Sequence, residues 1–329
     1  MRALVAERAE MVKQSFFVKK VLKRPEVLSL LGLLFLSALM IVSTDNFLSP
    51  VNMTNIARQV SINAVIAIGM TFVILTGGID LSVGPIMSLS GTIAASMMIN
   101  GLPIPLAIFL GLLVGVLFGT LNGLLVAYGR LPAIIVTLAM MEIPRGIGLI
   151  YTKGYPMSGL PDSFSVIGRG TVLGVQTPIL IMLVMYILAF ILLNRFPFGR
   201  YVYALGGNEE AARLSGIRVK IYKMLVFTIS GFTAALSGIV LTSRLMSGQP
   251  NAGVGFELDA IAAVVLGGAA ISGGKGHILG TLIGALMLGV LNNGLNLLGV
   301  SPYMQKILKG VVILLAIYIS SEKKGLKKN

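Results

Sequence analysis

Long uncharged runs, separated by short polar clusters, set the pattern of this chain. Residues 59–79, 170–194 and 224–243 carry no charged side chain, and each reaches the roughly 20 residues that a helix needs to cross a bilayer. Residues 81–129 are also uncharged. They are too long for one span, and Asn100, Pro103 and Pro105 divide them into two spans joined by a tight turn. A helix on the surface of a soluble protein would show a polar stripe, and these segments have none. The pattern predicts an all-α polytopic membrane protein with about ten transmembrane helices, near 27–44, 60–79, 85–99, 104–128, 133–151, 178–194, 224–243, 258–273, 278–299 and 303–320.

Two of these segments are weak as spans. Residues 260–274 are uncharged for only a short stretch and contain four glycines, so a broken or re-entrant segment is expected there, held by surrounding protein. The span 133–151 contains Glu142, Pro144 and Arg145. Opposite charges at i and i+3 share a helix face and can neutralise each other within the membrane.

Charge fixes the expected topology. The formal net charge is +14, which invites a nucleic-acid reading, but placement argues against one. Seven of the 26 basic residues precede Pro25, six lie in 195–223 and four in 323–328. Basic clusters beside apolar runs are what the positive-inside rule produces, so both termini and residues 195–223 are expected on the cytoplasmic side of the membrane. Six spans then precede the polar loop and four follow it, and both counts are even as this orientation requires. The organisation that follows is a basic cytoplasmic segment 1–26, a transmembrane domain 27–321 with a cytoplasmic loop 195–223, and a basic tail 322–329. The apolar run 27–44 is long for a signal peptide and lacks a small-residue cleavage site, which reads as a retained first span.

The halves echo each other. "GTLNGLLVAYGRLP" (119–132) and "GVLNNGLNLLGVSP" (289–302) align without a gap at Gly119/Gly289, Asn122/Asn292, Gly129/Gly299 and Pro132/Pro302. In the topology above the two helices run oppositely, the inverted-repeat arrangement of many transporters. Chance similarity between Gly/Leu-rich helices is the other reading.

Candidate chemistry is sparse. There is no cysteine and one histidine, which excludes thiol or His-cluster catalysis and leaves no catalytic or metal site to name. "GGAAISGGKGH" (267–277) fails as a phosphate-binding loop, because Ala269 stands where the first glycine belongs and Gly276 where Ser or Thr belongs. Most of the 40 glycines are expected to let helices pack backbone to backbone. "GGIDLSVG" (77–84) is a candidate gating or structural motif built on Gly77, Gly78, Asp80, Ser82 and Gly84, with Asp80 either capping the next helix or serving in gating. Asn122, Asn292, Asn293 and Asn296 lie in predicted spans, as glue between helices or as lining for a neutral, hydroxyl-rich solute.

The polar stretch "GGNEEAARLSG" (206–216) stands apart from its apolar surroundings. Asn208 is a good N-cap, Glu209 and Glu210 suit the positive end of a helix dipole, and Gly216 can close the helix in a left-handed turn. Two turns are marginal alone in water, so the helix must be held by the membrane domain or by a partner. "EAARLSG" (210–216) resembles the EAA-x-x-x-G loop of ABC importer permeases. "GGIDLSVG", "IVTLAMMEIPRGIGLIYTKGYP", "FGRYVYALGGNEEAARLSGIRV" and "GFELDAIAAVVLGGAAISGGKGHILGTLIGA" together resemble the permease family for ribose, xylose, galactose and autoinducer-2, over residues 60–320. Glu142 departs from that pattern, where a non-acidic residue is expected.

The resemblance implies a transport subunit, not an enzyme, with no cofactor of its own. ATP is bound by a separate cytoplasmic ATPase subunit, which docks on Asn208, Glu209, Glu210, Ala211, Ala212 and Gly216. It also implies an extracytoplasmic sugar-binding protein and a second permease copy, either identical or paralogous, within the lipid bilayer. A small neutral sugar such as ribose is the implied solute, with autoinducer-2 or another polar solute as the alternative. A secondary transporter would instead need ionisable groups in mid-membrane for ion coupling, and only Glu142 and Arg145 clearly qualify.

Overall fold

The computed structural model describes residues 25–325; the basic stretches 1–24 and 326–329, which hold most of the predicted terminal charge, lie outside the described residues. The described chain forms thirteen α-helices and a single two-residue hairpin. In order they are α1 (Pro25–Ser43), α2 (Pro50–Leu75), α3 (Val83–Ile99), α4 (Ile104–Ala127), α5 (Ala133–Thr152), the short α6 (Ser165–Arg169), α7 (Thr177–Asn194), α8 (Pro197–Gly207), α9 (Glu209–Leu214), α10 (Val219–Leu245), α11 (Phe256–Leu266), α12 (Ile278–Leu297) and α13 (Pro302–Gly325). Strands β1 (Thr171–Val172) and β2 (Val175–Gln176) precede α7.

A helix occupies each of the ten predicted spans. Among the described residues six helices, α2, α4, α5, α7, α10 and α12, are long and apolar enough to cross a membrane. The segment 258–273 is broken as expected: α11 has 11 residues, about 16 Å at 1.5 Å per residue, and irregular backbone follows to α12. One boundary differs more. α2 begins at Pro50, ten residues before the predicted span, because Ser49 caps it by accepting from the Asn52 N–H and Pro50 sits in its first turn. Arg58 therefore lies inside the helix.

Burial sorts the helices into a centre and a lipid-facing rim. The apolar window of α2 is 83% buried, against 22% for α4 and for α5. Backbones meet in the centre. On α4, Gly111, Gly115, Gly119 and Gly123 recur every fourth residue, and a Cβ at Gly115 or Gly119 would stand 2.4 Å from the carbonyl oxygens of Gly231 and Phe227 on α10. Small residues at this spacing allow the closest packing of membrane helices.

The internal repeat is architectural. The shift that carries Gly119 onto Gly289, 170 residues, also carries α2 onto α10, α3 onto α11, α4 onto α12 and α5 onto α13 within a few residues at most of their ends. Packing follows the same exchange: α4 lies along α10 as α12 lies along α2, and α3 along α4 as α11 along α12. In each repeat irregular backbone precedes a short helix, residues 76–82 before α3 and 246–255 before α11. The first turn of α3 meets the second segment and the start of α11, where a Cβ on Gly84 would lie 2.3 Å from the Gly253 carbonyl oxygen and from Glu257 Oε2.

Candidate functional site: the base of the short polar helix

The polar helix forms as its sequence dictates. Asn208 Oδ1 accepts from the Ala211 N–H at 3.0 Å, α9 spans Glu209–Leu214, and Gly216 turns the chain at φ 83°, the left-handed region that glycine occupies without strain. Lys223 on α10 donates to Glu209 and Arg213 to Glu210. Arg213 holds the Glu210 carboxyl below its ordinary range. Ala212 is buried with Leu205 and Val219 in a small cluster of its own, which corrects the expectation that both alanines face a partner. Ala211 is exposed, while Ala212 is what seats the helix on the membrane domain. Sequence reasoning missed Leu214, 77% exposed on the outer side of α9. On a helix of six residues the face turned outward cannot be read from periodicity.

Beneath α9 three glycine-rich segments converge. Gly274 N–H donates to the Leu75 carbonyl at 2.9 Å, and Tyr203 on α8 donates to the Gly276 carbonyl at 2.8 Å. Gly206 fits so closely that a Cβ there would lie 1.8 Å from Leu75 O and 2.4 Å from Gly274 N. The loop 267–277 that fails as a phosphate cradle is thus packed on the ends of α2 and α8, with the Gly274 N–H committed to Leu75. Beside this knot lies a cavity of about 720 Å³. Gly77 and Gly78 line it together with Glu209, Glu210, Arg213 and the cations Arg130, Lys220 and Lys223, so two motifs far apart in sequence share one cleft.

Deeper in the protein Asp80, Ser82 and Asn122 come together as well. Asp80 is 0% exposed. Its Oδ1 accepts from the Ser82 N–H at 3.0 Å and from the Ser82 hydroxyl, and its Oδ2 accepts from the Ser230 hydroxyl of α10 at 2.7 Å. Asn122 of α4 donates to Ser82 Oγ at 2.7 Å, and its own Oδ1 is buried without a donor. Asp80 forms the Asx-type turn ahead of α3 that the sequence suggests and, in addition, ties that turn to α10.

The other candidates separate. Asn292, Asn293 and Asn296 occupy the last two turns of α12, near its end rather than mid-span. Asn293 exchanges two hydrogen bonds with Asn52 of α2, at 2.9 and 2.7 Å, a structural clasp. Asn296 is exposed and accepts from Gln305 at 2.8 Å. Asn292 carries a buried, unpartnered Oδ1. Arg145 and Glu142 pair at 2.8 Å as their spacing predicts. The pair lies on the outer side of α5, with the Glu142 side chain 62% exposed.

An all-α bundle of apolar spans built on two related halves, with a short polar helix seated at one end, is a multi-pass membrane permease. The chain belongs to the family described as branched-chain amino acid transport system / permease component, which matches residues 52–317. It is 51% identical over 295 residues to the "Ribose import permease protein RbsC" of Bacillus subtilis (strain 168), covering 89% of this chain and 92% of that one. It is 50% identical over 302 residues to the protein of the same name from Escherichia coli (strain K12), covering 90% and 93%. The "D-allose transport system permease protein AlsC" of Escherichia coli (strain K12) is 40% identical over 277 residues, 84% of this chain and 85% of that protein. The family description names amino acids and these relatives name sugars, so family membership alone does not set the solute.

Proposed function

We propose that this chain is the membrane permease subunit of an ATP-binding-cassette importer for ribose or a closely similar neutral monosaccharide. The observation that carries the solute is the 51% identity, nearly end to end, with a ribose import permease. The seating of α9 supports the coupling role. A helix of six residues is too short to persist alone, yet here Ala212 seats it against Leu205 of α8 and Val219 of α10, α8 is itself wedged through Gly206 against Leu75 and Gly274, and Leu214 is turned outward. A force applied to Leu214 or Glu210 by a docked ATPase is passed through the Ala212 cluster to α8, and from Gly206 on α8 by backbone contact to the end of α2 and to the loop that leads into α12.

In this reading the ATPase binds all the ATP and the permease carries no catalytic group. Residues 195–223 and both termini face the cytoplasm, since the basic clusters lie there. A sugar-binding protein delivers solute at the opposite face, and a second permease copy completes the pathway. The Glu142–Arg145 pair supports the second copy, because a lipid-facing charge pair in mid-span is costly and a protein or aqueous neighbour removes that cost. The test is uptake of radiolabelled D-ribose by vesicles containing this chain with its ATPase and sugar-binding protein. ATP-dependent uptake that requires all three components is expected. Uptake that persists without the ATPase would overturn the reading.

A further inference from the structure

The cleft beside α9 holds more cations than the polar helix uses. Arg130, Arg213, Lys220 and Lys223 line it against two acids, Glu209 and Glu210. Both acids are taken, since Lys223 pairs with Glu209 and Arg213 with Glu210. Lys220 and Arg130 are left over. Lys220 Nζ lies 5.3 Å from the centre of the Tyr128 ring, a contact that leaves ammonium donors free for an acceptor. Arg130 has no acidic partner among the described residues. It stands in the tight turn between α4 and α5 at φ 56°, a left-handed position that glycine fills without strain and a side chain does not. The turn thus keeps an arginine where backbone geometry alone favours glycine.

An apolar track leads to these two cations. Leu121, Leu124, Leu125 and Tyr128 are exposed at the end of α4, and their spacing of i, i+3, i+4 and i+7 places them in one stripe. The stripe ends at the ring that holds Lys220. Val126, Leu131, Pro132 and Phe227 continue the apolar surface into the cleft.

We infer that this cleft binds the phosphate headgroup of an anionic phospholipid, with Arg130 and Lys220 as its cationic ligands and an acyl chain laid along the α4 stripe. The inference takes the cytoplasmic placement of this end from the importer reading, and the cytoplasmic leaflet is the one with a negative surface that draws basic groups beside membrane helices. A phosphodiester offers only acceptors, which suits a guanidinium fork and an ammonium. A zwitterionic headgroup brings an ammonium of its own against the surplus of cations. A free phosphate satisfies the cations but leaves the apolar walls and the stripe in contact with water. The cleft has room for a headgroup, because its volume of about 720 Å³ falls within the roughly 300–1,000 Å³ of small-molecule sites. A headgroup held there bridges the α4–α5 turn to the first turn of α10, the helix whose Val219 helps to seat α9.

The test is native mass spectrometry of the purified full chain, with and without its ATPase, released from micelles that hold equal amounts of phosphatidylglycerol and phosphatidylcholine. One phosphatidylglycerol per permease chain is expected, retained at least tenfold over phosphatidylcholine. Arg130→Gly with Lys220→Gln removes both cations while relieving the turn, and should bring that ratio to within twofold of unity. Arg130→Lys with Lys220→Arg keeps the charge and should retain at least half of the parental ratio. A neutral pair that keeps the parental preference would overturn the inference. Two further results on the parent would also overturn it, whatever the yield of the variants. Displacement of the lipid by millimolar glycerol phosphate would make the ligand a free phosphate, and loss of the lipid on adding the ATPase would make the cleft a seat for protein. Failure of the importer reading shows elsewhere, as a parental complex that takes up no sugar, while lipid retention is read on the permease itself.

Discussion

Gly206 offers the sharpest test of how the polar helix is joined to the membrane domain. In Gly206→Ala the new Cβ would lie 1.8 Å from Leu75 O and 2.4 Å from Gly274 N, where ordinary contact begins at 3.4 Å. Both neighbours are backbone, so no side chain can rotate away, and α8 must back off from α2 by more than an ångström. Overpacking of this kind costs about 1–3 kcal/mol, and losing the Gly274-to-Leu75 hydrogen bond adds about 0.5–1.5 kcal/mol. The control sits one residue on. A Cβ at Gly207 meets nothing within 4 Å, so Gly207→Ala changes the same helix without the clash. The assay is ATP hydrolysis by the assembled transporter, with and without loaded sugar-binding protein. Gly206→Ala is expected to insert in the membrane at near-parental levels and to lose at least tenfold in stimulated hydrolysis, while Gly207→Ala stays within twofold of the parent. Equal behaviour of the two variants would refute the argument that force passes through this contact.

Other consequences are equally open to measurement. Asp80→Asn replaces one acceptor of the Ser82 and Ser230 hydrogen bonds by a donor, so the thermal midpoint of the purified permease should drop, by an amount corresponding to about 1–3 kcal/mol; an unchanged midpoint would remove the network from the account. Glu142→Gln leaves Arg145 unpaired on α5, at a cost below the about 2.5–3.5 kcal/mol of a charge at the membrane centre to the extent that a neighbouring subunit or water shields it. Membrane expression should fall and should recover in the double variant Glu142→Gln with Arg145→Met, and no recovery would mean that the two act separately. Ala212→Leu overfills the cluster with Leu205 and Val219, so limited proteolysis should cut residues 195–223 faster than in the parent. Unchanged cleavage would mean that the cluster does not seat α9.

Much of this architecture is legible in the sequence because the bilayer removes water as a competitor. Uncharged runs become spans with few alternatives, and a gapless match such as Gly119/Gly289 proves to mark a repeat of four helices. The start of α2 is not read from the uncharged run because Arg58 ends it, although Ser49–Pro50 is a helix-start signature. The Asp80 network is invisible for another reason: its partners Asn122 and Ser230 lie 42 and 150 residues away, and no local pattern brings them together. The α12 asparagines look alike in the sequence, and only packing separates the clasp at Asn293 from the exposed Asn296 and from Asn292, whose amide oxygen is buried without a donor. The glycine knot is half legible. Three glycine pairs announce close approaches but not that they approach one another.

The central claim, that α9 is where an ATPase grips this permease, is tested most directly by cross-linking in the assembled, transporting complex. A single cysteine is placed at Leu214 in one variant and in another at Leu173, which is 99% exposed in the β1–β2 turn at the other end of α10. With a short homobifunctional maleimide, Leu214→Cys is expected to join the permease to the ATPase, and Leu173→Cys is expected to leave the ATPase free. A complex that transports sugar while the ATPase cross-links at Leu173 and not at Leu214 would contradict the account.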